Sequence, residues 1–300
     1  MFEVSAQAKI NLTLEVLGRR EDGYHQVKTI LQTVDLADRL EFDDSANLRV
    51  ECDLPGVNGA DNLVWTAATA LAVHCGISPH GRIVIKKGIP VSMGLGGGSS
   101  DAAAALIALN QLWELGLSRE ALAGIAAEIG SDVAFFLTGG TALAEGRGEL
   151  ITQLPAVPSI PVTLICPTVA IARKTAAMYS LLNPSHYSDG GVTGRMMEIL
   201  VGGQFVSESV GGMTYNIFEQ VIRHAVPEFN GLLGRLEGIF QNPLRLAGSG
   251  PGMYSLPSNE DEYQAAANAL QPYGVGVYLV HTTAPTTYEQ GANGPEKSNN

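Results

Sequence analysis

Hydrophobic and polar residues alternate strictly near the start of the chain, over residues 6–16. Apolar residues occupy the even positions, and polar residues that include Lys9 and Asn11 occupy the odd positions. A repeat of two predicts a β-strand with one buried face, because successive side chains of a strand point to opposite sides. Lys9 and Asn11 then point the same way from neighbouring positions, so one site can use both.

The rest of the first half predicts further strands and helices. A polar turn at 18–23 precedes an apolar stretch whose pattern over 34–42 predicts more strand, and 82–86 and 139–148 predict a strand and a returning strand with a turn. Helices are predicted over 62–75, 101–115 and 118–130, and another begins near Ser131. Prolines at 155, 158 and 161 then mark a domain boundary.

The second half predicts strands at 162–166, 245–256 and 276–281, with a glycine loop inside the second of these. Helices are predicted over 174–182, 216–225, 229–238 and 261–270, while the glycine-rich stretch 190–212 has no clear assignment. Residues 284–300 lack Val, Leu, Ile and Phe, which predicts a disordered tail. The predicted organisation is therefore a domain over 1–154, a second over 155–283 and the tail.

The most specific local signal is the stretch 90–100, where four glycines lead directly into an alanine-rich helix. Glycine lets the backbone approach a phosphate, and a helix start presents unpaired N–H groups, so we predict a phosphate-binding loop. Ser99 or Ser100 is expected to cap this helix, with Asp101 in its first turn. The loop does not end in the Gly-Lys-Ser or Gly-Lys-Thr of a Walker A motif, and Ser99 replaces the third glycine of the dinucleotide-binding pattern.

Composition and charge narrow the classes of function. A chain of 300 residues that is 45% hydrophobic predicts about two domains with cores of their own. No apolar run is long enough to cross a membrane and no secretory signal is evident. A net charge of -12 disfavours nucleic acid as a partner. Three scattered cysteines indicate neither disulfides nor zinc, so a cytoplasmic location is expected.

Several candidate residues carry little weight when each is taken alone. Lys9 by itself is an ordinary lysine on the polar face of a strand, and Asp132 by itself is a carboxylate that stabilises a helix start by roughly 0.3–1 kcal/mol. His25 by itself is likewise an ordinary residue of a polar turn. The six histidines show no metal-ligand spacing, so no protein metal site is expected, and Mg²⁺ is expected to arrive with nucleotide phosphates.

Taken together, the order of the motifs resembles the GHMP kinase superfamily, named for galacto-, homoserine, mevalonate and phosphomevalonate kinases. The resemblance is carried by Ala8-Lys9-Ile10-Asn11-Leu12, by the loop at 94–100 and by Gly248-Ser249-Gly250-Pro251. Within the superfamily, three further motifs resemble the branch that phosphorylates the 2-hydroxyl of a cytidine-diphosphate-linked methylerythritol in the non-mevalonate isoprenoid pathway. They are Gly18-Arg19-Arg20, Asp22-Gly23-Tyr24-His25 and Gly130-Ser131-Asp132-Val133.

The resemblance implies an α+β, two-domain GHMP kinase fold. Its N-terminal domain is of the ribosomal-S5 second-domain type, its C-terminal domain is ferredoxin-like, and ATP and a small-molecule substrate occupy the cleft between them. By the same resemblance Lys9 and Asp132 are catalytic. The residues placed at the nucleotide are Asn62, Lys87, Pro90, Val91, Ser92, Met93, Gly94, Leu95, Gly96, Gly97, Gly98, Ser99 and Ser100. Those placed at the substrate are Asn11, Tyr24, His25 and Tyr179.

Two alternatives remain open at this stage. Another small-molecule GHMP kinase, acting on mevalonate, homoserine or a sugar, shares the loops but has no evident use for Tyr24 and His25 as a pair that recognises a base. A non-catalytic nucleotide sensor of the same fold is disfavoured by the presence of both Lys9 and Asp132. Ala134 and Ile217 depart from the family pattern.

Overall fold

The computed structural model describes residues 2–55, 57–167, 174–226 and 228–285. The predicted disordered tail lies outside these ranges from residue 286 onward. Within them the chain forms two β-sheets, with helices against both, which is the mixed α+β architecture that the sequence predicts. No helix in the described part of the chain is both long and apolar enough to cross a membrane.

Eleven strands are present in the described residues. They are β1 (Phe2–Arg19), β2 (His25–Asp43), β3 (Arg49–Cys52), β4 (Arg82–Lys86), β5 (Thr141–Gly146), β6 (Leu150–Gln153), β7 (Pro161–Cys166), β8 (Tyr215–Asn216), β9 (Arg245–Leu246), β10 (Met253–Ser255) and β11 (Gly276–His281). The first sheet has the order β3-β4-β2-β1-β8, and β5 pairs with both β2 and β6. The second sheet has the order β11-β7-β10-β9.

The long hairpin of β1 and β2 organises the first sheet. The two strands pair antiparallel along nearly their whole length, from Phe2 opposite Phe42 to Arg19 opposite His25. The other edge of β2 is divided, because β5 pairs with its first part and β4 with its last part. Asp38 lies between these two pairings, and its carboxylate accepts hydrogen bonds from the backbone N–H groups of Gly88 and Ile89.

Ten helices complete the described fold. They are α1 (Leu63–Cys75), α2 (Gly97–Leu112), α3 (Arg119–Ile129), α4 (Val133–Phe136), α5 (Lys174–Ser180), α6 (Gly191–Val201), α7 (Ser207–Met213), α8 (Ile222–Ala225), α9 (Glu228–Arg235) and α10 (Glu260–Leu270). The helix α2 lies at the centre of the first core, where its run of four alanines is buried against α1 and the sheet. Small side chains allow this close packing of a helix on its neighbours.

The two sheets share a hydrophobic core. Ile10 and Leu12 of β1 pack in one cluster with Leu164 of β7 and Tyr254 of β10. The Tyr254 hydroxyl also donates a 2.6 Å hydrogen bond to the backbone carbonyl of Asn11, so a fully buried polar atom is satisfied. The even-numbered face of β1 is thus covered by the second sheet, and this contact places β1 between the two halves of the chain.

The prediction that β1 is only half buried is wrong. The odd-numbered face is buried as well, since Lys9 is 4% exposed and Asn11 is 3% exposed. Periodicity along one strand reports the polarity of its side chains, but not what other segments place over them. Here the glycine loop and the segment around Gly248 lie over this face, and the backbone N–H of Lys9 donates to the Leu95 carbonyl at 2.9 Å.

The predicted start of helix α2 is also wrong. The helix begins at Gly97 instead of Asp101, and its N-cap residue is Gly96 with a φ of 76°. Neither serine caps the helix, because both lie inside it, and the Ser100 hydroxyl donates to the Gln7 carbonyl of β1 at 2.7 Å. The last glycines of the predicted loop are therefore helical, and Asp101 lies beyond the first turn.

The segment 216–225 is not one continuous helix as predicted. Asn216 ends strand β8, which pairs parallel with β1, and a 3-10 turn at Ile217–Gln220 precedes the short helix α8. The unassigned stretch 190–212 contains α6 and α7. The N-terminal turn of α6 meets the buried Glu15 carboxylate, which accepts hydrogen bonds from the backbone N–H groups of Val192 and Thr193.

The two-domain division at residues 154 and 155 stays a prediction. The chain leaves the first sheet after Gln153 and enters the second at Pro161, while β8 returns to the first sheet from the second half.

We expect Asn216→Ala to lower the free energy of unfolding by about 3 kcal/mol. The buried Asn216 amide donates to the Leu246 and Gly248 carbonyls, both at 2.8 Å, and accepts from the Phe218 N–H, so alanine leaves three buried groups unpaired. Urea denaturation measures the loss. The exposed Asn230, whose side chain accepts from Arg223, gives the matched control Asn230→Ala, and an equal loss in both variants would contradict the expectation.

Candidate active site

A large cleft runs between the glycine loop, the hairpin of β1 and β2, and the segment around α5. Its volume is about 1660 Å³. A pocket for one small ligand usually measures about 300–1,000 Å³, so this cleft has room for two. Its lining includes most of the residues that the sequence singles out, from Lys9 and Asn11 to His25, Asp132 and Tyr179.

Lys9 and Asp132 meet in this cleft. The Lys9 Nζ lies 3.5 Å from the Asp132 Oδ2, although the residues are far apart in the chain. The lysine side chain is 5% exposed and the aspartate side chain is 37% exposed. The ammonium group is therefore buried, whereas the carboxylate beside it faces the open cleft. Asp132 is at the N-cap position of α4, yet its side chain makes no capping hydrogen bond. Its carboxylate is therefore available for chemistry rather than tied to the helix.

Asn11 holds Lys9 in position. Its Oδ1 accepts hydrogen bonds from the Lys9 Nζ at 2.8 Å and from the Gly248 N–H at 3.0 Å, and its Nδ2 donates to the Thr29 hydroxyl at 2.9 Å. The predicted contact of Asn11 with substrate stays a prediction. What the geometry adds is a link from Lys9 to a second glycine loop, residues 248–252.

The two glycine loops touch through their backbones. A Cβ on Gly94 would lie 1.9 Å from the Ala247 carbonyl oxygen, and one on Gly252 would lie 2.4 Å from the Met93 carbonyl oxygen. Gly94 also has a φ of 83°, which disfavours any other residue. The Gly96 Cβ position is likewise occupied by the Phe136 ring of α4, at 2.7 Å. Glycine is required at these positions by close packing, and the packing shapes the wall of the cleft.

Most of the predicted nucleotide residues line this wall. The lining contains residues 90–99, of which Met93 and Leu95 are buried and Val91 is exposed. Ser100 is outside the lining, because it points toward β1 and bonds to Gln7. Contact of each of these residues with nucleotide remains a prediction.

Asn62 and Lys87 also line the cleft, but their polar atoms have partners within the protein. The Asn62 side chain caps α1 by accepting from the Val64 N–H at 2.9 Å, and it donates to the Val57 carbonyl at 2.8 Å. The Lys87 ammonium is paired with the carboxylates of Asp38 and Asp101. Their predicted roles at the nucleoside are not established by this arrangement.

The cluster of Asp38, Lys87 and Asp101 is buried and crowded with charge. The Asp101 Oδ2 lies 2.8 Å from the Lys87 Nζ, whereas the Asp101 Oδ1 has no hydrogen-bond partner. Burial raises the pKa of Asp101 from 3.8 to about 7, although Lys87 opposes the rise and Asp38 reinforces it. Below about pH 7 the Asp101 carboxyl therefore keeps a proton that an isolated aspartate would have released.

Aromatic rings form the opposite end of the cleft. The His25 and Tyr179 rings stack with centroids 4.9 Å apart, and the edge of Tyr187 approaches His25 at 6.1 Å. Burial, helped by the positive charge of Arg19, lowers the pKa of His25, so its imidazole is neutral at neutral pH. A neutral imidazole offers one donor and one acceptor nitrogen, as recognition of a nucleobase edge requires. Because His25 and Tyr179 touch each other, a base must lie beside the pair or separate the rings.

Sequence reasoning missed several residues of the cleft. Tyr187 has no sequence signal, since it follows an irregular stretch. Arg147 lines the cleft and lies over the Tyr24 ring, and its position between Gly146 and Gly148 was a usable signal. Asp38, a buried partner of Lys87 that does not itself line the cleft, could not be found from the sequence either, because the two residues are distant along the chain.

No group of three or more His, Cys, Asp or Glu side chains suited to a metal ion exists among the described residues. Mg²⁺ prefers oxygen ligands and usually binds proteins through one or two carboxylates together with nucleotide phosphates. The half-exposed Asp132 carboxylate and the Ser99 hydroxyl, which both line the cleft, fit that mode of binding.

Comparison with known proteins defines the class. The family model for the GHMP kinases N terminal domain matches residues 62–140. A solved homoserine kinase from Cytophaga hutchinsonii shares the fold with a TM-score of 0.73 at 20% identity, over 94% of each chain. A mevalonate kinase from Methanococcus jannaschii does so with a TM-score of 0.68 at 12% identity, over 94% of this chain and 98% of that one. The fold is that of the GHMP kinases.

More similar relatives narrow the family further. The 4-diphosphocytidyl-2-C-methyl-D-erythritol kinase of Listeria welshimeri is 38% identical over 93% of this chain and 95% of its own length. That of Bacillus mycoides is 39% identical over 92% and 95%. A crystal structure of 4-(cytidine 5'-diphospho)-2C-methyl-D-erythritol kinase matches with a TM-score of 0.77 at 31% identity, over 94% of this chain and 100% of that one. The chain belongs to the 4-diphosphocytidyl-2-C-methyl-D-erythritol kinase family, and ATP is its phosphate donor.

We expect Gly94→Ala to lower the free energy of unfolding by about 1–3 kcal/mol and to weaken ATP binding. The added methyl group collides with the Ala247 carbonyl, so the two loops must separate. Urea denaturation and titration with ATP measure the two effects. The control is Gly212→Ala in α7, where a methyl group meets open space. Unchanged stability and unchanged ATP binding in Gly94→Ala would show that the two loops do not need this contact.

We expect the wild type to lose stability relative to Asp101→Asn as the pH rises from 5 to 8. The folded state keeps the Asp101 proton to about pH 7, whereas the unfolded chain releases it near pH 3.8, so this group stabilises the fold most at low pH and loses that effect through neutrality. Urea midpoints of both proteins across this range measure the trend. The exposed Asp44→Asn is the control, and parallel curves for wild type and Asp101→Asn would contradict the assignment.

Proposed function

We propose that the chain transfers the γ-phosphoryl group of ATP to the 2-hydroxyl of 4-diphosphocytidyl-2-C-methyl-D-erythritol, with Lys9 and Asp132 as its catalytic residues. The observation that carries these roles is the 3.5 Å contact between the Lys9 Nζ and the Asp132 Oδ2 at the edge of the glycine loop. Both ligands have room in one cleft. The match to relatives over nearly the whole chain supports the same reaction.

Asp132 orients the acceptor hydroxyl and takes its proton. An aliphatic alcohol is far less acidic than a carboxylic acid, so the aspartate does not generate a free alkoxide before the reaction. In a loose phosphoryl-transfer transition state the proton moves late, after bond formation to phosphorus has advanced, and positioning supplies much of the acceleration. The exposed position of the Asp132 carboxylate suits this role, because a substrate hydroxyl approaches it from the cleft.

Lys9 stabilises the negative charge that the transfer redistributes. Its ammonium group is buried on the protein side, with Asn11 and Asp132 as partners, so it is held in place before substrate binds. A fixed cation in a site with little water stabilises charge on the transferring phosphoryl group more strongly than a mobile one does. The acceptor oxygen, which loses its proton to Asp132, also lies within its reach.

The nucleotide and its metal complete the proposed site. The loop at 90–99 and the N-terminal turn of α2 receive the ATP phosphates through backbone N–H groups. Ser99 and Asp132 would supply oxygen ligands to Mg²⁺ that is carried by the nucleotide, and this ion neutralises phosphate charge when bound. At the other end, Tyr24, His25 and Tyr179 hold the cytosine. Free thiols at Cys52, Cys75 and Cys166 suit the reducing cytoplasm, where we place the enzyme.

We expect phosphate transfer from ATP to 4-diphosphocytidyl-2-C-methyl-D-erythritol and little or none to mevalonate, homoserine or galactose. The aromatic rings at one end of the cleft suit stacking with a nucleobase, and of the four alcohols only the first carries one. A panel assay with radiolabelled ATP compares the four alcohols. Turnover on one of the other three alone would replace the proposed substrate, and ATP binding without any turnover would favour a nucleotide sensor.

We expect Asp132→Asn to reduce kcat by about 10²–10⁴-fold and Lys9→Ala by about 10²–10³-fold, with ATP still bound. The first change removes the proton acceptor, and the second removes the cation at the transferring group. Steady-state kinetics and ATP titration measure both effects. The exposed Asp44→Asn and Lys86→Ala serve as matched controls. Near-normal kcat in either site variant would remove that residue from the catalytic pair.

A further inference from the structure

Arg147 lies in the turn between β5 and β6. The proposed phosphoryl transfer gives this residue no role. Glycines flank it on both sides, with φ values of 74° at Gly146 and 112° at Gly148. The Arg147 side chain is one third exposed. Its guanidinium carbon lies 5.0 Å from the centre of the Tyr24 ring. Arg147 and Gly148 both line the cleft. The Arg147 side chain therefore belongs to the wall of the active site rather than to the outer surface.

The turn that carries Arg147 lies between the two ends of the cleft. On one side is the aromatic end, because the guanidinium contacts Tyr24. On the other side is the catalytic end, because a Cβ on Gly148 would lie 3.5 Å from the Cβ of Ser131, the neighbour of Asp132. A substrate with its base at the aromatic rings and its alcohol at Asp132 must pass its middle part along this turn.

The other described cations of the cleft have different surroundings. Lys9 is paired with Asp132, and Lys87 is buried between two carboxylates. Arg19 lies at the aromatic end, where it pairs in register with His25. Arg147 contacts Glu149 through Nε at 3.5 Å, and this side chain remains one third exposed. It is the cation placed between the two ends.

We propose that Arg147 binds the diphosphate of the cytidine-diphosphate-linked substrate and thereby selects for a diphosphate over an uncharged nucleoside, an inference that rests on the proposed function. A guanidinium group matches phosphate oxygens with parallel hydrogen bonds, and its flat face packs on an aromatic ring at the same time. Arg147 lies over the Tyr24 ring and lines the cleft, so its N–H groups are within the space that the substrate would occupy. The Glu149 carboxylate restricts the movement of the Arg147 side chain. It contacts the Arg147 Nε and also accepts a hydrogen bond from the Arg147 backbone N–H.

A local cation is needed here because the protein as a whole repels the substrate. The net charge is -12, so no long-range field draws in a diphosphate. The ATP phosphates have the glycine loop and the start of α2, but the substrate diphosphate lies away from both, along the turn. A charged hydrogen bond in a partly enclosed cleft contributes more to affinity than one on an open surface.

Binding of CDP and cytidine to variants of Arg147 tests the assignment. We expect Arg147→Gln to weaken CDP at least about tenfold by isothermal titration, while cytidine changes by less than about twofold. Arg147→Lys keeps the positive charge but loses the pair of parallel N–H donors of the guanidinium group. Its affinity for CDP should lie between those of the wild type and Arg147→Gln. In turnover, the KM for the diphosphate substrate should rise about tenfold, with kcat and the KM for ATP little changed. Arg39→Gln, an exposed arginine of β2, is the matched control.

Three results would overturn the assignment. Unchanged CDP affinity in Arg147→Gln would show that the diphosphate lies elsewhere. An equal loss for CDP and cytidine would show that Arg147 acts only by holding Tyr24 over the base. A wild-type chain that binds neither ligand and phosphorylates no cytidine-linked alcohol would overturn the proposed function as well, whereas the first two results leave that function standing. Urea midpoints of each variant verify that the comparison is made on folded protein.

Discussion

The site depends on one constraint, the direct backbone contact between the two glycine loops. The carbonyl oxygen of Ala247 occupies the space where a side chain of Gly94 would be, and the Met93 carbonyl does the same at Gly252. This contact closes the odd-numbered face of β1, and the Gly248 N–H then reaches the Asn11 side chain. One wall of the cleft is therefore made from both halves of the chain.

That closure explains how a cation remains inside the protein. A buried ammonium group costs several kcal/mol unless its hydrogen bonds and its charge are matched. Lys9 meets this requirement with Asn11 and Asp132, and Lys87 does so with Asp38 and Asp101. In the first pair the carboxylate remains open to the cleft, while in the second cluster both carboxylates are buried. The same kind of charge pairing thus leaves one carboxylate open to the cleft in the first place and encloses both carboxylates in the second.

The second half of the chain also completes the aromatic end of the cleft. Tyr179 from α5 stacks on His25, which begins β2, and Tyr187 approaches the same ring from its edge. The stretch after Tyr187 is anchored to β1, since the Ser188 hydroxyl and the start of α6 both donate to the Glu15 carboxylate. Gly190, the N-cap residue of α6 with a φ of 81°, lies beside this anchor and donates through its N–H to the Ser188 hydroxyl.

The sequence alone determined the local features: the alternating strand with Lys9 and Asn11, most helices, the glycine loop and the family to which these motifs belong. Each of these follows from side-chain period, helix-capping chemistry or glycine spacing, which act within a few residues. Tertiary structure decided that the polar face of β1 is buried, that α2 begins at Gly97, and that Asp38, Lys87 and Asp101 form one buried cluster of charges. It also brought Arg147 beside Tyr24. Such features depend on contacts between residues far apart in the chain, and no local pattern encodes those distances.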